Sequence, residues 1–228
     1  MHLDCKPIVE LRNIERTYYV DAKPVHALRG VSLQIPENKL VILKGPSGSG
    51  KTTILNIIGG LDQPSQGQIL FKGKELVKFS DKELTLWRRK QVGFVFQTFA
   101  LIQTFSAFEN VELPMRITRV PWRERERRTL ECLDIVGLRK RASHRTFEMS
   151  GGEQQRVGIA RAIVNQPALI LADEPTGELD FKTGIQIMNL FRSMVDEGGI
   201  TICLTTHDPA FIEFGDLVIE LEDGKIIH

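Results

Sequence analysis

A glycine-rich segment in the first quarter of the chain stands between an apolar strand pattern and an apolar helix pattern. It reads Gly45-Pro46-Ser47-Gly48-Ser49-Gly50-Lys51-Thr52-Thr53. Residues 40–44 before it are strand-like, and apolar residues recur at helical spacing between positions 54 and 61. Every fixed position of the pattern GxxxxGK[ST] is matched. The order of strand, glycine-rich turn and helix predicts an α/β fold in which this turn surrounds phosphate groups.

The backbone explains why such a segment suits phosphate. Glycines lack a Cβ atom and adopt positive φ, so several N–H groups can point into one concave ring. The helix that follows presents free N–H groups at its N-terminus, where negative charge is favoured. We expect residues 45–53 to bind a nucleotide, with Lys51 on the β- and γ-phosphates and the Thr52 hydroxyl on Mg²⁺. A glycine- and serine-rich turn that matches by chance is the alternative, and the flanking strand and helix argue against it.

Length and composition restrict the remaining possibilities. The 228 residues suffice for one full-sized domain, and we expect the whole range 1–228 to be that domain. No run of about 18 apolar residues could span a bilayer, and residues 1–6 do not resemble a secretory signal. The net charge of +1 gives no basic field for nucleic acid, so we expect no nucleic-acid partner.

Strand patterns alternate with helix patterns along the chain, which favours a largely parallel sheet covered on both faces. Strands are predicted at 8–14, 31–35, 40–44, 68–72, 92–96, 168–173, 201–205 and 216–221. Helices are predicted at 81–90, after Pro121 and at 152–166, the first with a capping box formed by Ser80 and Glu83. A helical stretch at about 98–150 interrupts the alternation and is interpreted as an inserted subdomain. Asp223-Gly224 predicts a final tight hairpin.

The strand pattern at 168–173 ends in two carboxylates, Asp173 and Glu174. Such a strand delivers them to the carboxyl edge of the sheet, where ligands of open α/β folds bind. We expect Asp173 to hold the Mg²⁺ shell and Glu174 to polarise the attacking water. A solvated acidic turn is the alternative, and the phosphate loop makes that alternative less favourable.

One further segment identifies a family. It reads Met149-Ser150-Gly151-Gly152-Glu153-Gln154-Gln155-Arg156. This segment resembles the signature of the ABC ATPase superfamily, which is close to LSGGQ followed by QR. The resemblance implies that Ser150, Gly151, Gly152 and Glu153 open a helix and bind the γ-phosphate of a nucleotide held by a second subunit. Met149 and Glu153 differ from the commonest Leu and Gln, and we expect neither change to touch the phosphate contacts.

The resemblance continues along the chain and implies further site residues. Tyr18 takes the place of an aromatic that stacks on adenine, with Tyr19 as the competitor, and Gln97 that of a glutamine contacting Mg²⁺ and water. Asp180 belongs to a loop that reaches across the dimer, and His207 to a switch contacting the γ-phosphate. The catalytic residues would be Glu174, His207, Gln97 and Lys51. Thr52, Gln97 and Asp173 would serve the metal.

The implied molecule is an ATPase with ATP and Mg²⁺ as cofactors. Its fold would be a P-loop NTPase (RecA-like) core with a parallel sheet, an N-terminal antiparallel β subdomain and an inserted α-helical subdomain. Because each chain carries one phosphate loop and one signature, a homodimer would bury two ATP molecules. An integral membrane permease would hold it at the cytoplasmic face of the inner or plasma membrane.

Several details resemble the branch that serves lipoprotein release and macrolide efflux, a group of mechanotransmitting exporters. They are Gly59-Gly60-Leu61-Asp62, Glu109-Asn110-Val111 and Ala172-Asp173-Glu174-Pro175-Thr176-Gly177. We expect no regulatory domain after residue 228. A division-type ABC ATPase that regulates cell-wall hydrolysis through a permease-like partner, without transport, is the alternative. Phe99, Leu101, Phe105 and Phe108 are expected to mark the permease groove, with one or two of them exposed.

Overall fold

Two sheets form in the computed structural model, which describes residues 7–227. The strands are β1 (Pro7–Val20), β2 (Lys23–Pro36), β3 (Leu40–Lys44), β4 (Gln66–Phe71), β5 (Lys74–Glu75), β6 (Val92–Val95), β7 (Leu169–Ala172), β8 (Thr201–Thr206), β9 (Leu217–Glu222) and β10 (Lys225–Ile226). The helices are α1 (Lys51–Ile58), α2 (Asp81–Gln91), α3 (Ala107–Ile117), α4 (Trp122–Ile135), α5 (Gly151–Ile163) and α6 (Phe181–Asp196). Residues 1–6, where a secretory signal was predicted to be absent, lie outside the described range.

The smaller sheet is antiparallel, with the strand order β2-β1-β4-β5. Its main component is a hairpin of β1 and β2 that is much longer than the predicted segments 8–14 and 31–35. Asp21 and Ala22 form the turn, with φ of 48° and 63°. The sequence did not signal this turn because it contains no glycine, and the outer half of the hairpin is too polar to show a strand pattern. Cross-strand pairing, which is non-local, extends the hairpin.

The larger sheet has the order β10-β9-β3-β8-β7-β6, and all its pairs are parallel except β9 with β10. The predicted α/β class with a parallel sheet is therefore confirmed. Its central strands are continuous apolar runs, buried because helices cover both faces. The predicted final hairpin is also confirmed. Because parallel strands end at one edge, the residues after β3, β7 and β8 lie near one another.

Three helices begin with a capping box, in which a serine side chain and a glutamate side chain each bond the other residue's amide. Ser80 with Glu83 was predicted and is confirmed at the start of α2. Ser106 with Glu109 starts α3, and Ser150 with Glu153 starts α5. Helix α6 was not predicted; it begins at its N-cap Asp180, in the loop after β7.

Helices α3 and α4 lie within the range 98–150 and pack on α5. Their apolar side chains, including Val111 and Leu133, share one core with Val157 of α5 and with one face of the larger sheet. We propose this range as the helical subdomain. Between residues 7 and 227, none of the helices combines the length and the apolar character that crossing a bilayer requires.

Gly93 offers a test of how closely α5 packs on the sheet. A Cβ atom at Gly93 in β6 would lie 2.3 Å from the carbonyl oxygen of Ala162 in α5. A Cβ atom at Gly158, in the same helix, would meet nothing closer than 3.6 Å. We expect Gly93→Ala to lower the free energy of unfolding by about 1–3 kcal/mol, because the clash separates helix and strand. Gly158→Ala is the matched control and is expected to be neutral or to stabilise by up to about 1 kcal/mol. Urea unfolding measures both, and equal stability of the two variants would contradict this packing.

Candidate active site

The phosphate loop connects β3 to α1, and two of its glycines are required by close backbone approach. Gly45 has φ of 150°, and a Cβ atom there would lie 2.2 Å from the carbonyl oxygen of Leu221. Gly50, with φ of 104°, would bring a Cβ atom within 2.8 Å of the carbonyl oxygen of Ala27. The remaining members of the predicted loop follow the same path; Pro46, Ser47 and Gly48 form its exposed tip, Ser49 is buried and Thr53 lies in the first turn of α1. A side chain at Gly45 or Gly50 would therefore force the turn to shift.

Lys51 is the first residue of α1, and its side chain folds back into the loop. Its Nζ donates to the carbonyl oxygens of Gly45 at 2.8 Å and Pro46 at 2.9 Å, and only 5% of the residue is exposed. A nearly buried ammonium held in a ring of backbone groups is placed to bind a polyphosphate. The helix N-terminus adds favourable potential for an anion at the same point.

Asp173 and Thr52 meet at the sheet edge. The Thr52 hydroxyl donates to Asp173 Oδ1 at 3.1 Å, across the gap between the start of α1 and the end of β7. Two hard oxygen ligands of this kind suit Mg²⁺. They are the residues predicted for the metal, together with Gln97.

Thr205 at the end of β8 fixes the two acidic residues relative to each other. Its hydroxyl donates to Asp173 Oδ1 at 2.7 Å and accepts from the amide of Glu174 at 2.9 Å. Glu174 has φ of 43°, in the left-handed region, so its side chain leaves the strand direction. Thr205 was not predicted from the sequence, because only the pairing of β7 with β8 reveals that the ends of these strands are adjacent.

Glu174 and His207 form the next contact. His207 Nδ1 lies 3.1 Å from Glu174 Oε2; the histidine side chain is 63% exposed and the glutamate side chain 22%. A cavity of about 160 Å³ opens beside them, and Thr206 and Gly177 also line it. A carboxylate and an imidazole facing one small cavity can order a water molecule.

Gln97 follows β6, where it was predicted, but it contacts a different neighbour. Its Nε2 donates to Glu178 Oε1 at 3.2 Å, and its side chain lies beside Gly177. Within residues 7–227, no hydrogen bond joins Gln97 to Thr52 or Asp173. The structure therefore brings together four of the predicted residues, which are Thr52, Asp173, Glu174 and His207. It places Gln97 against the loop that follows Glu174.

The signature segment forms a second, separate cavity of about 280 Å³. Residues 150–153 line it together with Asp180, which caps α6 by accepting from the Thr183 amide at 3.0 Å. The Thr183 hydroxyl also donates to Asp180, and these bonds lower the pKa of the aspartate. Among the described residues, none from the phosphate loop borders this cavity. A phosphate bound at the helix N-terminus there would come from another molecule.

Glu153 is closer to the signature contacts than the sequence led us to expect. Its Oε2 accepts from the amide of Ser150 at 2.9 Å and from the Ser150 hydroxyl at 3.1 Å. The residue at position 153 is therefore coupled to Ser150, and its expected lack of effect on the phosphate contacts stays a prediction. The cause is the capping box, which couples the two side chains. The Ser150 amide bond is also the main reason that the pKa of Glu153 is lowered.

Tyr18 lies near the end of β1, opposite Val25 of β2, and is half-buried. Tyr19, the competing candidate, is 75% exposed. Tyr18 has a defined set of partners, whereas Tyr19 has no side-chain hydrogen bond within the described part of the chain. This difference favours Tyr18 over Tyr19 as the aromatic predicted to stack on adenine.

The chain is similar to known proteins over most of its length. A family model described as ABC transporter matches residues 28–177. An uncharacterized ABC transporter ATP-binding protein of Thermotoga maritima is 46% identical over 221 residues, covering 97% of this chain and 94% of that protein. The ATP-binding protein LolD of a lipoprotein-releasing system in Bacteroides fragilis is 45% identical over 203 residues, covering 89% and 94%. The macrolide export ATP-binding/permease protein MacB of Wolinella succinogenes is 43% identical over 98% of this chain, which spans 34% of that protein.

A solved structure is similar throughout. It is the dimeric, post-hydrolysis state of the cassette MJ0796 of Methanocaldococcus jannaschii, bound to ADP and Pi. The TM-score is 0.89 and the identity 44%, covering 96% of this chain and 97% of that one.

Proposed function

We propose that this chain drives a membrane permease through ATP-dependent closure of a homodimer. The chain belongs to the ABC transporter family and is an ATP-binding, ATP-hydrolysing subunit. The carrying observation is the line of contacts from Thr52 through Asp173 and Thr205 to Glu174 and His207 at one sheet edge. Phosphoryl transfer to water requires a metal site, which Thr52 and Asp173 would supply, and a group that orients the water, which Glu174 would supply. We further propose the exporter or mechanotransmitter type found in lipoprotein release and macrolide efflux.

The dimer follows from the separation of the two anion sites. Among the described residues, none of those at 45–52 lines the signature cavity at 150–153. A two-fold symmetric pair would place the signature of each chain over the nucleotide of the other, which creates two equal sites. The dimeric cassette MJ0796 supports this proposal. Loss of the γ-phosphate removes the signature contact and shifts the equilibrium toward the open pair.

Hydrolysis would rest on positioning within each composite site. Lys51 neutralises charge on the β- and γ-phosphates, and Glu174 accepts a hydrogen bond from the attacking water while His207 holds the carboxylate in place. Thr52 and Asp173 would hold Mg²⁺, and Gln97 is the third residue proposed for the metal. The bound metal supplies charge neutralisation for the transferred phosphoryl group.

We propose that an apolar groove of about 400 Å³ receives a helix of the permease. Its apolar lining includes Leu61, Phe94, Phe96, Leu113 and Ile117. The four residues proposed from sequence, Phe99, Leu101, Phe105 and Phe108, are all half-buried, so the expectation that one or two are exposed is not met. Leu101 and Phe108 pack against the shared core of the helices instead. The groove thus lies beside the predicted patch rather than on it.

We expect Ile117→Glu to weaken association with the permease about tenfold or more, because a buried interface residue would become charged. Ile117 is 53% exposed at the end of α3. Ile135→Glu is the matched control, since Ile135 is 55% exposed at the end of α4, outside the groove. The measurement is the yield of permease that co-purifies in detergent. Equal yields from the two variants would place the docking site elsewhere.

Co-purification also tests the proposed function. We expect this chain to hydrolyse MgATP and to be recovered with an integral membrane protein at the cytoplasmic face of the membrane. The sequence of that protein would distinguish an exporter from a permease-like partner that regulates cell-wall hydrolysis. Recovery without any membrane protein would contradict the coupling to a permease.

A further inference from the structure

Tyr18 is held by two neighbours, Asp62 and Arg16, that are not among the predicted site residues. Its hydroxyl donates to Asp62 Oδ2 at 2.6 Å. The guanidinium of Arg16 lies over its ring, with 4.5 Å between the guanidinium carbon and the ring centroid. Arg16 Nη2 in turn lies 2.8 Å from Asp62 Oδ1. The three side chains therefore form a closed triangle, in which each contacts the other two.

The triangle leaves the tyrosine with little freedom. A phenol on a strand ordinarily turns about two side-chain torsions, and a bond to a carboxylate at its tip removes most of that motion. Arg16 occupies one face of the ring, so a planar ligand can stack only on the opposite face. Orientation and accessible face are both decided before any ligand binds.

Asp62 also connects this triangle to the phosphate site. Its amide donates to the carbonyl oxygen of Asn56 at 3.2 Å, which attaches it to the last turns of α1. The same helix begins with Lys51 and Thr52. A rigid helix thus carries the phosphate-binding residues at one end and the anchor of the tyrosine at the other. The spacing between phosphates and base is built into α1.

We propose that Asp62 and Arg16 are positioning residues that hold Tyr18 as a preformed stacking platform for the adenine ring. The proposal rests on the nucleotide site described under the proposed function and assigns these two residues a part in binding the base. Their effect is expected on the base alone, because neither residue reaches the phosphate loop. A purely structural connection between β1 and α1 would affect base and phosphates alike.

The test compares a nucleotide with a ligand that has phosphates and no base. MgADP and magnesium tripolyphosphate are titrated calorimetrically into the full chain and its variants. We expect Tyr18→Phe and Asp62→Ala each to weaken MgADP about fivefold to tenfold, the usual cost of ordering one freed side chain on binding. Binding of tripolyphosphate is expected to change less than about twofold, since its contacts lie at the other end of α1.

Tyr18→Phe keeps the ring and removes one oxygen atom, so it remains informative if Asp62→Ala does not fold. Tyr19→Phe is the matched control and is expected to bind both ligands like the wild type, because the Tyr19 side chain is exposed. An equal loss for both ligands, or unchanged MgADP affinity in Tyr18→Phe, would overturn the proposal. Failure of the proposed function looks different: the wild-type chain would then bind neither ligand.

Discussion

Replacing Glu174 with glutamine is expected to lower ATP hydrolysis by about 10²- to 10⁴-fold while ATP binding persists, the usual contribution of a positioned base. Glutamine has the size of glutamate and can still contact His207, which lies 3.1 Å from the carboxylate. It cannot accept a proton from water. The contacts that bind the phosphates come from Lys51 and the loop backbone, which the substitution leaves unchanged.

A second consequence follows for assembly. Because hydrolysis is what removes the γ-phosphate, Glu174→Gln should accumulate the closed dimer when MgATP is present. Size-exclusion chromatography with and without MgATP measures this, alongside a phosphate-release assay. Glu213→Gln is the matched control, since Glu213 is an exposed carboxylate in the turn after β8. Turnover within severalfold of the wild type in Glu174→Gln would show that another group orders the water.

The second large effect concerns the composite site. We expect Lys51→Ala and Gly151→Asp each to lower hydrolysis about 10²-fold or more, because the first removes a positive charge beside the phosphates and the second adds a negative one. Lys51→Ala removes the buried ammonium. Gly151→Asp places a carboxylate at the N-terminus of α5, where the partner's γ-phosphate is expected, and its Cβ atom would meet nothing closer than 3.5 Å. Gly151→Ala is therefore a control for bulk without charge.

Mixing the two inactive variants should restore activity. A heterodimer carries both defects in one composite site and none in the other. Random pairing of equal amounts predicts about a quarter of wild-type activity if the two sites act independently. The hydrolysis rate of the mixture is compared with that of each variant alone. This comparison shows whether the phosphate loop and the signature of one site come from different chains. If the phosphate loop and the signature served the same chain, the mixture would remain as inactive as its components.

The elements predicted from local patterns correspond well to the structure. Three of them depend only on residues close in sequence, so a local pattern was enough to predict them. They are the strand at Leu40–Lys44, the capping box of Ser80 and Glu83 and the final hairpin. The outer half of the β1–β2 hairpin and the helix Phe181–Asp196 were missed. The first has no glycine in its turn, and its formation depends on pairing with a distant segment.

The site divides in the same way. Phosphate and Mg²⁺ demand a particular local backbone geometry, which shows in the sequence as spaced glycines, a lysine at a helix start and carboxylates at a strand end. The sequence alone therefore determined the phosphate loop, the acidic pair and the ATPase family. Only the tertiary structure decided which neighbours those residues meet. Thr205 between Asp173 and Glu174, Glu178 against Gln97, and Asp62 with Arg16 around Tyr18 are contacts between segments far apart in the chain. Such contacts exist only once the parallel strands align their ends and α1 packs beneath the hairpin, because no local pattern records which strand will become the neighbour of another.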